Sequence, residues 1–427
     1  MNQRHGAAFA TLFCLLSGTS AAHATSGSVF GVGPSTRAWA GAGATQAAGY
    51  EAAFQNPASL SLSPELTLSA GYGVQSSWLY TQRGASAEQR FETEPLSLAT
   101  LGFTLPLEAF GQRFVVGFAS LSPGGSVARA DLPLGEQPQF PLLVSRQRAV
   151  DFDLGVGVRP WRFLALGLGL RALASLAGTA EVQTQGKTTT TRVSDSLEPV
   201  LAPHAGVTAF LSSSATAALV LKAALRADFD LQLQAVDLNA TQLPALHLAG
   251  VAHYEPPSVQ AEYAQRLGPL TAMFGAAYQR FSQTPTLLPS TVTCPEQRPD
   301  CSALVAEPPH FHDTVELHVA STLGLELTRA AQAELRAGYA FVPSPVPDQS
   351  GRDNLLDNAR HRFGLGYGVT LDAPLPPLRL DAAFTLDELV PRTSRKAADV
   401  APENAGAPSL TSRGRSVGLS LGLTVRL

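Results

Sequence analysis

The stretch VELHVASTLGLEL, residues 315–327, decides the fold. Val315, Leu317, Val319, Leu323, Leu325 and Leu327 are apolar, and their neighbours Glu316, His318, Thr322, Gly324 and Glu326 are polar or small. A repeat of two residues sends successive side chains to opposite faces, which defines a strand with one apolar and one polar face. The same alternation runs through FGLGYGVTL (363–371), LRLDAAFTLD (378–387) and VGLSLGLTVRL (417–427). A soluble sandwich with one wet face would alternate too. Ordinary strands average about 5–6 residues, however. Those here reach the roughly 9–11 residues that a tilted strand needs to cross a bilayer with its apolar side chains facing lipid. The pattern therefore predicts an all-β fold, a transmembrane antiparallel barrel.

Composition agrees. The chain has 427 residues, is 45% hydrophobic and 15% charged, and carries a net charge of -4. That balance leaves no basic footprint for nucleic acid. Its apolar runs fall short of the ~20 residues a spanning helix requires. A membrane protein without such helices must be a closed barrel, because lipid offers backbone groups no hydrogen-bond partner. Arg4 and His5, the short apolar run 7–16 and Ala22-His23-Ala24 read as a secretory signal peptide over residues 1–24, cleaved after Ala24. Cys14 lies inside that apolar run. Export leaves Cys294 and Cys301, which flank the polar, turn-rich PEQRPD. An even cysteine count in an exported chain predicts a disulfide closing an exposed loop.

Connections alternate in length. Short ones fall at 159–162, 212–215 and 372–377, and long polar ones at 121–145, 177–199, 282–312, 342–360 and 390–414. Barrels of the outer membrane have short inner turns and long outer loops. A direct count gives an odd number of strands, whereas bacterial barrels have an even one. Treating 245–267 as one strand interrupted at Pro256-Pro257, where the ladder loses donors, gives about fourteen; two separate strands there would lead to sixteen. Asp151, Asp153, Arg159, Arg171, Glu316, His318, Glu326, Glu334, Arg336, Arg379 and Asp381 share the non-lipid parity of their strands. Mixed charge on that face fits either a plugged lumen or a water-lined porin. His310 and His312 beside Asp313 read as loop polarity rather than a metal site. No nucleophile motif is present, so neither an enzyme nor a cofactor is expected.

Ahead of the first strand lie GVGPSTRAWAGAG (31–43) and YEAAFQNPASL (50–60). A glycine-rich leader is ordinarily flexible, and no strand precedes it to make a nucleotide fold. Small residues also let a backbone pack closely inside a lumen, and Asn56-Pro57 gives a fixed turn. These segments resemble the N-terminal plug of the FadL family of outer-membrane transporters for long-chain fatty acids and hydrocarbons. Gly338-Tyr339, Pro343 to Asp348, Asp357, Arg360 and His361 resemble a loop between two late strands of that family, and Asp313 stands where members have Trp-Asp.

The resemblance implies a plug (hatch) over residues 25–62 and a barrel over 63–427, with Gly31, Gly33, Arg37, Gly41, Gly43, Asn56, Pro57 and Ala58 forming the gating motif. It also implies passive uptake of a fatty acid or other hydrophobic small molecule by a monomer in outer-membrane lipid, inserted by the barrel-assembly machinery. The ligand would first meet apolar side chains of the outer loops, with Leu132, Leu134, Phe140, Leu142 and Leu143 as candidates. It would leave sideways at a kink in the third strand, placed here at Pro123, Gly124 and Gly125. Two other readings stay open, a shuttle for secreted cargo on the same barrel and a general porin.

Overall fold

The computed structural model describes residues 31–124, 136–143, 150–185, 188–236, 246–285, 309–372 and 376–427. The expected signal peptide, Leu132, Leu134, Gly125, Cys294 and Cys301 lie outside them.

Fourteen strands close an antiparallel wall among the described residues. In chain order they begin with β1 (Thr67–Arg83), β3 (Leu96–Ala109), β4 (Gln112–Pro123), β5 (Asp151–Trp161), β6 (Leu164–Gln185), β7 (Thr188–Phe210) and β8 (Ala215–Lys222). The second half is β11 (Ser258–Leu267), β12 (Leu270–Gln279), β13 (Thr314–Thr328), β14 (Ala331–Val342), β15 (Arg360–Leu371), β16 (Leu378–Arg395) and β17 (Ser409–Arg426). β8 pairs with β11 across the middle of the chain. The ring closes where β1 pairs with β17, from Thr67 opposite Arg426 to Arg83 opposite Leu410. Three further strands lie off the wall: β2 (Gln89–Phe91), β9 (Leu225–Val236) and β10 (Leu246–Glu255).

The proline break explains the strand count. β10 and β11 are one course interrupted at Pro256-Pro257, and β8 and β9 are its partner course, interrupted at Ala223-Ala224. Beyond the breaks β9 and β10 pair with each other, and β9 runs parallel to β6, with Leu176 opposite Phe229. Leu225 and Ala227 are buried against Leu173 and Ala202. Leu173 shares the parity of Arg171, so the β9–β10 hairpin folds across the inner side of β6 and β7. The expected long loop at 177–199 is instead a continuation of these two strands, which stay paired to Gln185 opposite Thr188. Its threonine-rich sequence favours extended backbone, and the two arms satisfy one another's ladder beyond the wall.

Outward side chains form an apolar belt. Leu154, Leu168, Leu219, Phe274, Leu317, Leu365 and Leu421 are all exposed, a contiguous greasy surface that water does not favour. Their inward neighbours are small or charged. At the far end from the short turns, the loops make small cores of their own. Phe140 and Leu143 pack with Leu79, Leu356, Leu389 and Leu410, and Leu142 packs with Phe281, Phe311, Val346 and Leu355. The backbone of Gln139 bonds across to Asn354 and Leu356, tying segment 136–143 to the loop before β15.

Candidate functional site

The lumen is filled by residues 32–62. Two short helices, α1 (Pro34–Ala38) and α2 (Tyr50–Gln55), and a 3-10 turn over Pro57–Leu62 carry the segment. Val32, Ala38, Ala42, Ala44, Ala47, Ala52, Ala53 and Ala58 are fully buried. The motif glycines earn their places differently. Gly41 and Gly43 have φ of +101 and +122, conformations that L side chains rarely adopt. At Gly33 the need is space, since a Cβ would meet the Glu51 carboxyl at 2.4 Å.

That carboxyl holds the plug to itself. Glu51 accepts from the backbone N–H of Thr36 at 2.7 Å and of Ser35 at 3.2 Å, across the start of α1. Burial raises its pKa despite those bonds. Arg37, only 4% exposed, donates from Nε to the Gly31 carbonyl at 3.2 Å and lies flat against Gly73 of β1, where a Cβ would come within 2.7 Å of Nη1. Burial lowers its pKa to about 10, so it remains a cation at neutral pH.

Asn56 makes the link from plug to wall. Its Nδ2 donates to the Ala44 carbonyl at 2.6 Å and to Thr208 Oγ1 of β7 at 2.9 Å, while Oδ1 accepts from Ala58 N–H at 3.0 Å. The Pro57-Ala58 backbone presses on the wall where β5, β6 and β7 carry glycine. A Cβ on Gly157 would sit 2.5 Å from the Pro57 oxygen, and one on Gly167 2.1 Å from Ala58 N. On the opposite wall, Gly338 of β14 and Gly364 of β15 receive the backbone of Trp39 and Ala38 at similar distances. The glycines that alternate with leucines in the sequence are thus a mould for the plug.

Three wall groups sequence reasoning left unassigned grip the same segment. Glu262 of β11 accepts from Gly43 N–H at 2.7 Å, Thr45 N–H at 2.8 Å and Thr45 Oγ1 at 2.6 Å, with His318 Nε2 at 3.3 Å behind it. Phe54 lies between two cations, Lys222 Nζ at 3.8 Å and the Arg171 guanidinium at 4.8 Å from the ring centre. His204 Nε2 stands 2.7 Å from the Ala53 carbonyl. The signal for Glu262 was a lone carboxylate at a small-residue position of a strand. Nothing in the sequence pairs Phe54 with residues about 120 and 170 positions away.

The lumen charges fall into separate networks. Arg171 binds Asp151 at 2.9 Å, Asp153 at 3.2 Å and Glu255 at 2.5 Å, all buried. At the short-turn end, Arg336 and Arg379 share Glu334 and Asp381. Between these networks the plug separates two cavities. The outer one, about 140 Å³, meets Arg37, Gly41, Phe54 and Leu142. The inner one, about 520 Å³, meets Trp39, Tyr50 and Glu51. Both are lined by a mixture of polar and apolar groups.

The remaining predicted residues are placed as follows. Leu142 lines the outer cavity, whereas Phe140 and Leu143 are 1% exposed inside the loop core. Pro123 is the last residue of β4, and Gly124 N–H bonds to the Ser97 carbonyl at 2.7 Å. The ladder of β4 to β3 runs unshifted to Pro123, and that to β5 stops at Leu121. Asp357 and Arg360 face the outer cavity with Pro343 and Pro345. Asp313 accepts from Tyr278 Oη at 2.5 Å and Ser282 N–H at 2.8 Å.

A closed fourteen-strand barrel with its lumen filled from the N-terminal side is the fold of FadL-type channels. Among solved structures, a Pseudomonas aeruginosa FadL homologue superposes with a TM-score of 0.60 at 12% identity, covering 92% of this chain and 98% of that one. The Pseudomonas putida toluene transporter TodX gives 0.55 at 13%, and the Ralstonia pickettii toluene transporter TbuX 0.51 at 12%, each over 92% of this chain and 98% of the other. No protein-family model and no curated protein matches the chain.

Proposed function

We propose that this chain is an outer-membrane channel for passive uptake of small hydrophobic molecules, fatty acids or hydrocarbons, gated by the plug over residues 25–62 within a barrel over 63–427. The observation that carries this reading is the plug itself, seated between an outer and an inner cavity by Asn56, Glu262 and the glycine mould. An open porin needs a continuous water path, and here residues 32–62 occupy it. The apolar belt supports a place in a bilayer, and the similar solved structures include transporters of toluene. Cargo would enter past Leu142 and pass on when the plug shifts. Sideways exit would use the outer end of β4 at Pro123 and Gly124, beyond the last described pair with β5, Leu121 opposite Asp151.

Uptake of labelled toluene and labelled laurate by cells with and without the gene tests this. The expected result is faster entry of at least one with the gene present. Deleting residues 56–58 should abolish gated uptake; a deletion that leaves it unchanged sinks the gating role.

A further inference from the structure

The plug is two pieces that share no main-chain bond. Residues 31–42 bond within themselves, as Arg37 N–H does to the Gly33 carbonyl, and so do residues 50–62, as Ser59 N–H does to that of Asn56. Among the described residues no backbone group of one piece bonds to the backbone of the other. The pieces also seat on opposite arcs of the wall. Trp39 and Ala38 lie in the moulds of β14 and β15, and Trp39 Nε1 donates to Thr322 of β13 at 2.9 Å. Leu60 fills the space left by Gly117 of β4 and Gly155 of β5, and Asn56 reaches β7.

Side chains close the seam between them. Glu51 on α2 takes the N–H groups of Ser35 and Thr36 on α1, and Gln55 Nε2 donates to the Gly41 carbonyl at 3.1 Å. Val32 adds an apolar contact with Tyr50 and Phe54. Gly43, at φ +122, follows the first piece, and its N–H is moored to Glu262 of β11. The next residue, Ala44, is already tied to the second piece, its carbonyl accepting from Asn56 and Ser59. A chain anchored on one side of a single residue of free φ has its hinge there.

Both cavities end on this seam. The outer one touches Thr36 and Gly41 of the first piece and Phe54 and Gln55 of the second. The inner one touches Ser35 and Trp39 of the first and Tyr50 and Glu51 of the second. A plug that moved as one body would give up the Asn56–Thr208 bond, the three bonds of Glu262 and the seat of Phe54 between its cations. Swinging residues 31–42 about Gly43 leaves all of these in place.

We propose that the plug opens by parting. Residues 31–42 swing about Gly43 away from α2, Glu51 is the latch, and the gap joins the outer cavity to the inner one. The inference rests on the channel reading and adds a route to the short-turn end, distinct from the sideways exit at β4.

Two disulfide bridges test it, each built into the full-length chain with Cys294→Ser and Cys301→Ser as background. Gly33→Cys with Glu51→Cys ties piece to piece, since a Cβ on Gly33 would meet the Glu51 side chain. Leu60→Cys with Gly117→Cys ties the second piece to the wall, since a Cβ on Gly117 would meet the Leu60 side chain. Heat-modifiable migration and mass spectrometry verify that each barrel is folded and bridged, and planar-bilayer recording counts openings before and after reduction. The reduced 33–51 pair lacks the latch carboxylate and should open at least fivefold more often than the background; oxidation should abolish its openings. Gln55→Met, which spares Glu51, should open at least twofold more often. The oxidised 60–117 pair should open as the background does. Openings that persist through the 33–51 bridge, openings silenced by the 60–117 bridge, failure of the 33–51 pair to bridge, or background-level opening of both its reduced form and Gln55→Met overturns the proposal. Uptake of labelled toluene and laurate separates the two claims. Openings governed by the 33–51 bridge without entry of either probe spare the parting plug and defeat the hydrophobic channel, and entry that the bridge leaves unchanged does the reverse.

Discussion

The carboxylate of Glu262, on the wall, accepts the backbone N–H of Gly43, in the plug, at 2.7 Å. A side chain of the barrel thereby holds main chain of the plug, and no substitution of Gly43 other than proline can remove the donor.

Glu262→Ala should therefore loosen the plug without opening the wall. It removes three hydrogen bonds to a charged acceptor, each worth about 1.5–3 kcal/mol, and leaves this turn held by the bonds of Asn56 and Ser59 to the Ala44 carbonyl. Planar-bilayer recording should show larger and noisier conductance than the parent, with gel migration of the folded barrel retained. Conductance equal to the parent would show that Glu262 does not restrain the plug.

The glycine mould predicts a sharp contrast between two otherwise similar changes. Gly167→Ala puts a Cβ 2.1 Å from the Ala58 nitrogen, whereas one on Gly351 meets nothing within 4 Å. The first should unseat the Asn56–Ala58 turn and admit hydrophilic antibiotics that the parent excludes. Gly351→Ala should be silent in the same susceptibility assay. Equal susceptibility of the two strains would remove the mould from the account.

Among the described residues Arg171 is the arginine within hydrogen-bond distance of Asp151, Asp153 and Glu255, with His253 Nε2 3.4 Å from Glu255. Removing one partner of a buried ion network costs about 3–5 kcal/mol, because uncompensated charge remains. Arg171→Met should lower the thermal unfolding midpoint markedly. Adding Asp151→Asn and Asp153→Asn should recover much of the loss, and failure of that rescue would point to packing against Phe54 as the larger contribution.

Face was legible in the sequence, and partnership was not. Alternation in 315–327 and 417–427 assigned every lipid-facing leucine of β13 and β17, because a period of two has only two phases. The interruption at Pro256-Pro257 was readable because proline lacks the ladder donor. Its counterpart at Ala223-Ala224 carries no such mark, so the inward turn of β9 and β10 could not be foreseen. Threonine-rich residues 188–192 passed for loop because polarity and strand propensity point opposite ways outside a membrane. In the plug, Arg37 and Asn56 stood out by motif. Glu51, inside the same stretch, acquires its task only when α1 and α2 meet, and Glu262 when β11 comes beside Gly43.

The mould on the wall also sets an order in time. Plug contacts come from both halves of the ring, from Gly157 and Gly167 early in the chain and from Gly338 and Gly364 late in it. The segment that fills the mould is made before any of these strands, and the seam of β1 with β17 is the last join available to the polypeptide. A plug that touches strands on opposite sides at backbone distance leaves no clearance to be threaded in after that seam has zipped. The plug is then the mandrel on which the cylinder is wound, and the barrel inherits its bore from the plug.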